Sequence, residues 1–565
     1  MLQSKTTRII TSWPLAIMVA AVPILIYILF FRALALNVNY VAFDDILILG
    51  IIPSFDGASW AQRWEALTTL FPEHRLVFSR TIVLTLYHIF GRLDLTWLMI
   101  VANICWAACA VYFYQAIRSL KLSFWYFVPV AWLWFNIQSF ENILWGVSSL
   151  CNFGVLFFAL GSIYTAAFKP KWLVITLLLA ICATYSYGNG LMVFLVIAVL
   201  QILRRAYVQL GITILSLVIV SALYFSDFTP ITQNLDVTDP RQIEEGILGL
   251  FGFLGSIASI QAYGLPLSSM YLASITGLFM VVLIFLLLWR QFPKFWQTIT
   301  EYKAYERPIV LFAIGILIFV AITALALTYK RIPTDTYYGM FKGRYRMYST
   351  LLLLAIYFLF LGVRPRGRNV TIKFLIPLSI VLNLAILHGN FAYAVDNRRE
   401  AITQEFNARY NADWHGLRMF EMPQSHYEKI RALYHSQDPL AGSWNPNPAM
   451  ETKFLGANPF PIQSISTEGE YLRLFLNLHG FRATKDYSDG VYAIMYSADH
   501  VYASPARQPP VPLRTTIRRG LYFSDVANIA FHKGTIAPGS YQLLLLVRQG
   551  AQNHIYQTGH EYIQP

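Results

Sequence analysis

The strongest constraint on this chain is a series of apolar segments, each close to the roughly 20 residues a helix needs to cross a bilayer. They fall near 14–36, 95–117, 122–139, 150–168, 171–187, 190–203, 206–225, 267–289, 308–328, 347–363 and 371–394. Lipid offers the backbone no hydrogen-bond partners, so such segments close their own bonds as helices. The series predicts a polytopic α-helical membrane protein of about eleven spans. The run 190–203 is short and borrows residues from the turn before it. A further run, 246–262, would invert everything after it. It reads as re-entrant or interfacial, with Gly246, Gly249, Gly252 and Gly255 allowing close packing.

The placement of charge orients the series. Lys5 and Arg8 precede the first span and place the N-terminus in the cytoplasm. Ala33-Leu34-Ala35 faintly resembles a cleavage site, but the run is longer than the roughly 7–15 residues of a signal h-region, so it reads as an uncleaved span. Every joint then expected inside is basic: Arg118 and Lys121; Lys169 and Lys171; Arg204 and Arg205; Arg290, Lys294 and Arg307; Arg364, Arg366, Arg368 and Lys373. An odd number of spans puts the C-terminus on the opposite side. The net charge of +13 therefore reads as span orientation before it reads as a nucleic-acid surface. Only 13% of residues are charged, about half the share of an ordinary soluble domain. Cys105, Cys109, Cys151 and Cys182 all lie in apolar segments, which implies neither a disulfide framework nor a zinc site.

Two domains are expected. Residues 1–395 hold the spans, with 37–94 as the first outer loop. In that loop 60–71 and 79–90 read as interfacial helices with Trp60, Trp64, Tyr87 and His88 at headgroup depth. Residues 396–565 are polar and lack a spanning run, and predict an extracytoplasmic α+β domain. Stretches 397–420, 426–436 and 468–481 read as helices. Stretches 490–498, 521–533, 539–550 and 553–563 read as strands of an antiparallel sheet.

Ionisable residues gather at the outer ends of the spans, where they are costly unless solvated or paired. Asp44 and Asp45 just past the first span suit a general base on an acceptor hydroxyl or the ligands of a divalent cation. Glu73 suits an acid. His74 suits a hydrogen-bonding or proton-carrying group, or else a loop histidine bonded to a carbonyl. Arg75, with Arg80 behind it, suits a phosphate anchor. Glu141 and Asn142 fit helix caps or the wall of a polar cavity. Asn189 lies between two glycines in a turn. The segment 328–348 is an outer joint, yet it carries Lys330, Arg331, Lys342, Arg344 and Arg346 among five tyrosines, Tyr345 included. A basic loop on that side calls for an anionic ligand such as a lipid phosphate, or for headgroup attraction alone.

The motifs FDD (43–45), PEHR (72–75), ENILWG (141–146), YSYGNG (185–190) and GRYRMY (343–348), on this span organisation, resemble those of bacterial membrane proteins related to the type C glycosyltransferase superfamily. The resemblance covers about 390 residues in organisation. It implies an inner-membrane enzyme of cell-envelope polysaccharide biosynthesis. Such an enzyme moves a sugar, with inversion, from a polyprenyl-phosphate donor to a glycan or lipid acceptor on the outer face. A first-loop carboxylate, here Asp44 or Asp45, would act as base or as ligand of Mg or Mn, which some members use. Glu73 and His74 would assist, and Arg75, Arg80, Glu141, Asn142, Asn189, Lys342, Arg344, Tyr345 and Arg346 would line the substrate site. A lipid-linked oligosaccharide polymerase or ligase, a transporter, and a non-catalytic glycan receptor are the alternatives. The transporter fits less well, because the ionisable residues sit at span ends and not at mid-membrane.

Overall fold

The computed structural model describes residues 13–36, 45–71, 73–229, 233–261, 266–411, 429–430, 432–433, 440, 458–482, 486–550 and 552–565. The chain divides into two compact units. The first is Met1–Ile28, Ser54–Thr85 and Leu98–Leu387; the second is Leu29–Pro53, Leu86–Trp97 and His388–Pro565. Two segments that include the ends of the first outer loop, Leu29–Pro53 and Leu86–Trp97, group with the C-terminal residues.

Among the described residues, eight helices are long and apolar enough to cross a membrane: Trp13–Ala35, Leu95–Arg118, Gly146–Phe168, Tyr207–Tyr224, Leu267–Trp289, Pro308–Asp335, Gly343–Val363 and Arg368–Asn411. Gly146–Phe168, Pro308–Asp335 and Gly343–Val363 are largely enclosed, while the other five keep most of their apolar side chains on the outside. So much exposed leucine, isoleucine and phenylalanine is the surface of a protein covered by lipid. Three of the expected spans are shorter apolar helices, Phe124–Trp134, Leu173–Thr184 and Gly188–Leu203.

The first of these shows why the length falls short. Its apolar run gives way at Asn136-Ile137-Gln138-Ser139, and the helix stops at Trp134. The carbonyls this releases are taken up by side chains. Asn136 donates to Leu133 O at 2.5 Å, and Asn383 donates to Trp132 O and Phe135 O at 2.6 and 3.2 Å. Backbone may leave a helix at this depth only where protein re-satisfies it. Trp134 itself is fully buried, stacks on Trp106 with centroids 3.6 Å apart, and donates its indole N–H to Trp106 O at 2.9 Å.

The run expected to be re-entrant or interfacial forms the 15-residue helix Pro240–Leu254. It begins earlier than expected because Asp239 caps it, accepting the Arg241 N–H at 2.9 Å, and Pro240 opens its first turn. The end of this helix meets Leu267–Trp289 backbone to backbone. A Cβ on Gly255 would collide with Ala273 O, and one on Gly277 with Phe251 O.

The second unit holds two antiparallel sheets. One has the order β3-β4-β7, built from β3 (Ile462–Glu468), β4 (Tyr471–Asn477) and β7 (Val526–His532). The other has the order β6-β5-β8-β9, built from β5 (Gly490–Tyr496), β6 (Val501–Pro505), β8 (Gly539–Gln549) and β9 (Gln552–Gln564). One core contains Leu472, Leu474 and Leu476 of β4, Ile529 of β7, Met495 of β5 and Leu543 and Leu545 of β8. A second core sets Ile402 and Phe406 of the 368–411 helix against Tyr492, Ile494, Leu544 and Leu546. Strands β5 and β8 are covered on both faces, which accounts for the unbroken Leu543–Leu546 run. The free edge of β6 is capped from the same helix: Asn407 and Asn411 each bond both backbone groups of one residue, Ala503 and Val501.

The stretch 468–481 is a correction. It was expected to be helical and it is strand β4. In Leu-Arg-Leu-Phe-Leu the leucines alternate, and a period of two buries all three on one face of a strand. The stretch 397–420 is helical as far as Asn411, and residues beyond it lie outside the described ones. Of 426–436, the described residues 429–430 and 432–433 are helical.

Candidate functional site

The first unit brings most of the expected residues together. The 308–335 helix runs past its apolar part to Asp335, and two 3-10 turns follow, Tyr337–Phe341 and Gly343–Tyr345. Each turn is held by a carboxylate from elsewhere. Glu245 accepts the N–H of Tyr337 at 3.2 Å. Glu141, in the first turn of the short helix Phe140–Leu144, accepts the N–H groups of Gly343 and Arg344, both at 3.2 Å. A Cβ at 343 would lie 2.9 Å from Glu141 Oε1 and would displace that carboxylate. Asn142 is buried; it donates to Arg344 O at 2.7 Å and accepts from Asn152 at 2.9 Å. Glu141 and Asn142 therefore hold the N–H and the C=O of Arg344, the two peptide groups that flank its Cα.

On this frame the charges are uneven. Lys342 and Arg331 share one carboxylate, Asp335, at 2.7 and 3.6 Å. Lys330 lies 3.8 Å from Glu73. Arg346 is buried and donates to the carbonyls of Phe341 and Ser259. The guanidinium of Arg344 is half-buried between the rings of Trp145 and Tyr345, at 5.8 and 5.2 Å. Among the described residues no carboxylate lies within ion-pair distance of it. Five cations (Lys330, Arg331, Lys342, Arg344, Arg346) thus accompany four carboxylates (Glu73, Glu141, Glu245, Asp335), an excess of one positive charge.

Among the described residues, buried Asn189 Oδ1 has no partner, and the Tyr345 hydroxyl, on a residue 2% exposed, meets only the neighbouring Arg344 guanidinium. The amide of Asn189 is held, donating to the Tyr348 hydroxyl at 2.8 Å and to Thr323 at 3.3 Å. An unmet buried hydrogen bond costs about 1–3 kcal/mol, so such atoms mark places where a ligand can complete a network.

His74 and Arg75 form β2, paired with β1 (Leu70–Phe71) in a two-residue ribbon. The His74 ring packs on Tyr187 with centroids 4.4 Å apart. Burial, aided by the field of Arg331 and opposed by Glu73, pushes the imidazole down to about 4, so it is neutral at physiological pH. Tyr187 and Asp335 were not singled out from sequence; Tyr187 does stand inside the YSYGNG motif, which was the available signal.

Two candidate anchors are occupied. Arg75 is buried, pairs with Asp227, and donates to Tyr224 O at 2.8 Å and Thr68 O at 2.5 Å. Arg80 donates to Leu67 O and Thr69 O at 3.0 and 2.5 Å. Both close the chain between the Trp60–Thr68 and Val77–Phe90 helices, so their donors are engaged by protein. Asp44 lies outside the described residues. Asp45 is buried and belongs to the second unit, at the start of the helix Asp45–Leu49.

Among the described residues no three His, Cys, Asp or Glu side chains gather as a metal would require. Asp45 alone is not a donor set for a cation. No protein-family model, no curated protein and no solved structure matches the chain, so its functional reading rests on this site.

Proposed function

We propose that the chain is a membrane glycosyltransferase of type C character, using a polyprenyl-phosphate-linked sugar and an acceptor hydroxyl at the outer face of the membrane. In this reading the N-terminus is cytoplasmic and the sheet unit extracytoplasmic, the short apolar helices complete a set of eleven spans, and the setting is a bacterial inner membrane. One observation carries the proposal: the excess of positive charge around Arg344, whose guanidinium, among the described residues, has no carboxylate within ion-pair distance. A guanidinium fork matches phosphate oxygens in pairs.

The chemistry follows from charge. The acceptor oxygen attacks the anomeric carbon, the bond to the lipid phosphate breaks, and negative charge grows on the departing phosphate. Arg344, with Arg331 and Lys342 beside it, stabilises that charge. The Tyr345 hydroxyl donates to it or to the sugar. The acceptor proton goes to a first-loop carboxylate, for which Asp44, Asp45 and Glu73 are the candidates. His74, neutral, hydrogen-bonds without adding charge.

The test is binding of polyprenyl phosphate to the purified full-length protein. Arg344→Ala is expected to weaken binding at least about tenfold, the loss of one charge-assisted pair, with the unfolding temperature nearly unchanged. Arg75→Ala is expected to lower the unfolding temperature instead. Unchanged affinity in Arg344→Ala would overturn the donor site. Full sugar transfer by both Asp44→Asn and Asp45→Asn would remove the aspartates from the mechanism and leave Glu73.

A further inference from the structure

We propose that the short helix Leu513–Arg519 docks the second unit onto anionic lipid headgroups. The helix reads LRTTIRR and has no buried residue. Leu513 and Ile517, four apart and so on one face, are 52% and 75% exposed. Arg514 and Arg518 repeat that spacing one position on, and Arg519 follows; all three are exposed. No acidic residue occurs in the segment, and among the described residues none of the three arginines is ion-paired. Two bare apolar side chains flanked by three unneutralised guanidiniums suit neither open water nor hydrocarbon. They suit the boundary between the two.

The depth of the helix is set by what holds it. Thr516 Oγ1 lies 3.3 Å from the His388 ring. Tyr522, just past the helix, donates its hydroxyl to His388 O at 2.6 Å and accepts the Ala392 N–H at 3.0 Å. His388–Ala392 is one turn of the long helix Arg368–Asn411. Along that helix Val370, Phe374, Leu378, Val381 and Leu384 are exposed at helical spacing, an apolar stripe that ends one turn before His388. Asp396, two turns after His388, is the first charged residue beyond Lys373. Asp396 is itself buried, so the turn gripped by the 513–522 segment is placed by the end of the exposed apolar stripe, one turn earlier on the same helix. Arginines presented there meet the negative surface potential of acidic lipids directly.

The test uses the full-length protein in nanodiscs of phosphatidylcholine, with or without phosphatidylglycerol, and reads amide hydrogen exchange over 513–519. Exchange is expected to slow at least about fivefold in the anionic discs, the effect of a single basic residue at such a surface. It is expected to recover near 1 M salt, where screening acts within about 3 Å. The triple substitution Arg514→Gln, Arg518→Gln, Arg519→Gln is expected to abolish the slowing, with β4 and β5 amides still protected as proof of folding. Equal exchange in the two discs overturns the proposal. So does slowing that survives the triple substitution, which would point to a protein contact. So does equal slowing by inorganic phosphate on neutral discs, which would mark a site for a free anion and not a lipid surface.

Discussion

Glu141 Oε2 accepts the backbone N–H of Arg344 at 3.2 Å, across 203 residues of sequence. Together with the bond from Gly343, this makes one carboxylate the fixture that aims the Arg344 side chain between Trp145 and Tyr345. Glu141→Gln keeps the length but replaces one acceptor oxygen with a donor facing an N–H. It is expected to cost about 1–3 kcal/mol of stability and to weaken phosphate binding without removing any cation. Gly343→Ala pushes a methyl onto the same carboxylate. The two substitutions act on one contact, so the double variant should cost clearly less than their sum. Additive unfolding free energies would show that the contact is not shared.

The crossing at Gly255 and Gly277 gives a sharper contrast. Gly277→Ala has nowhere to go but into the Phe251 carbonyl, and the two helices must separate. Overpacking of this kind costs about 1–3 kcal/mol or more. Gly246→Ala, on the facing helix Pro240–Leu254, would find its Cβ 3.5 Å from the Thr328 methyl, an ordinary contact. It should be neutral, or slightly stabilising through helix propensity. Thermal unfolding in detergent compares the two, and equal losses would refute the backbone contact.

His74 predicts a pH dependence of definite sign. Its native pKa of about 4 lies below the 6.5 of an exposed histidine, so the unfolded chain binds the proton first. The neutral ring contributes fully above pH 6.5. That contribution fades as pH falls from 6.5 towards 4, to a ceiling of about 3 kcal/mol. His74→Gln should therefore lose less stability than the parent between pH 7.5 and 4.5. Parallel losses in the two proteins would show that the ring is not shielded.

The membrane half was legible because length and hydropathy fix a span before any packing is known. Its irregular parts were less so. The 122–139 segment counted as a span by composition, yet its helix ends at Trp134, because the Asn383 amide, some 250 residues away, can take up the freed carbonyls. In the second unit the apolar runs of β5 and β8 read as strands. Strand β4 did not: its leucines and Arg473 favour helix locally, and only pairing with β3 and β7 makes the alternation decisive. The site showed the same split. Its motifs could be found from residue types at span ends. Which arginine is free and which is engaged could not, because Arg75 is neutralised by Asp227, which lies 152 residues away in sequence.

The bonds of Arg398 carry a consequence for synthesis. Its guanidinium donates to Leu34 O and Leu36 O, both at 2.8 Å and 364 and 362 residues earlier in the chain, and to Ser488 Oγ. At roughly 5–20 residues per second, a ribosome that has made Leu36 needs about 20–70 s to reach Arg398. For that time the Leu34 and Leu36 carbonyls, at the end of the first span, lack their Arg398 donor. The second unit can close only after nearly the whole polypeptide has been made, so a stalled or truncated chain would leave its first strandless segment as an unfolded stub held at the membrane.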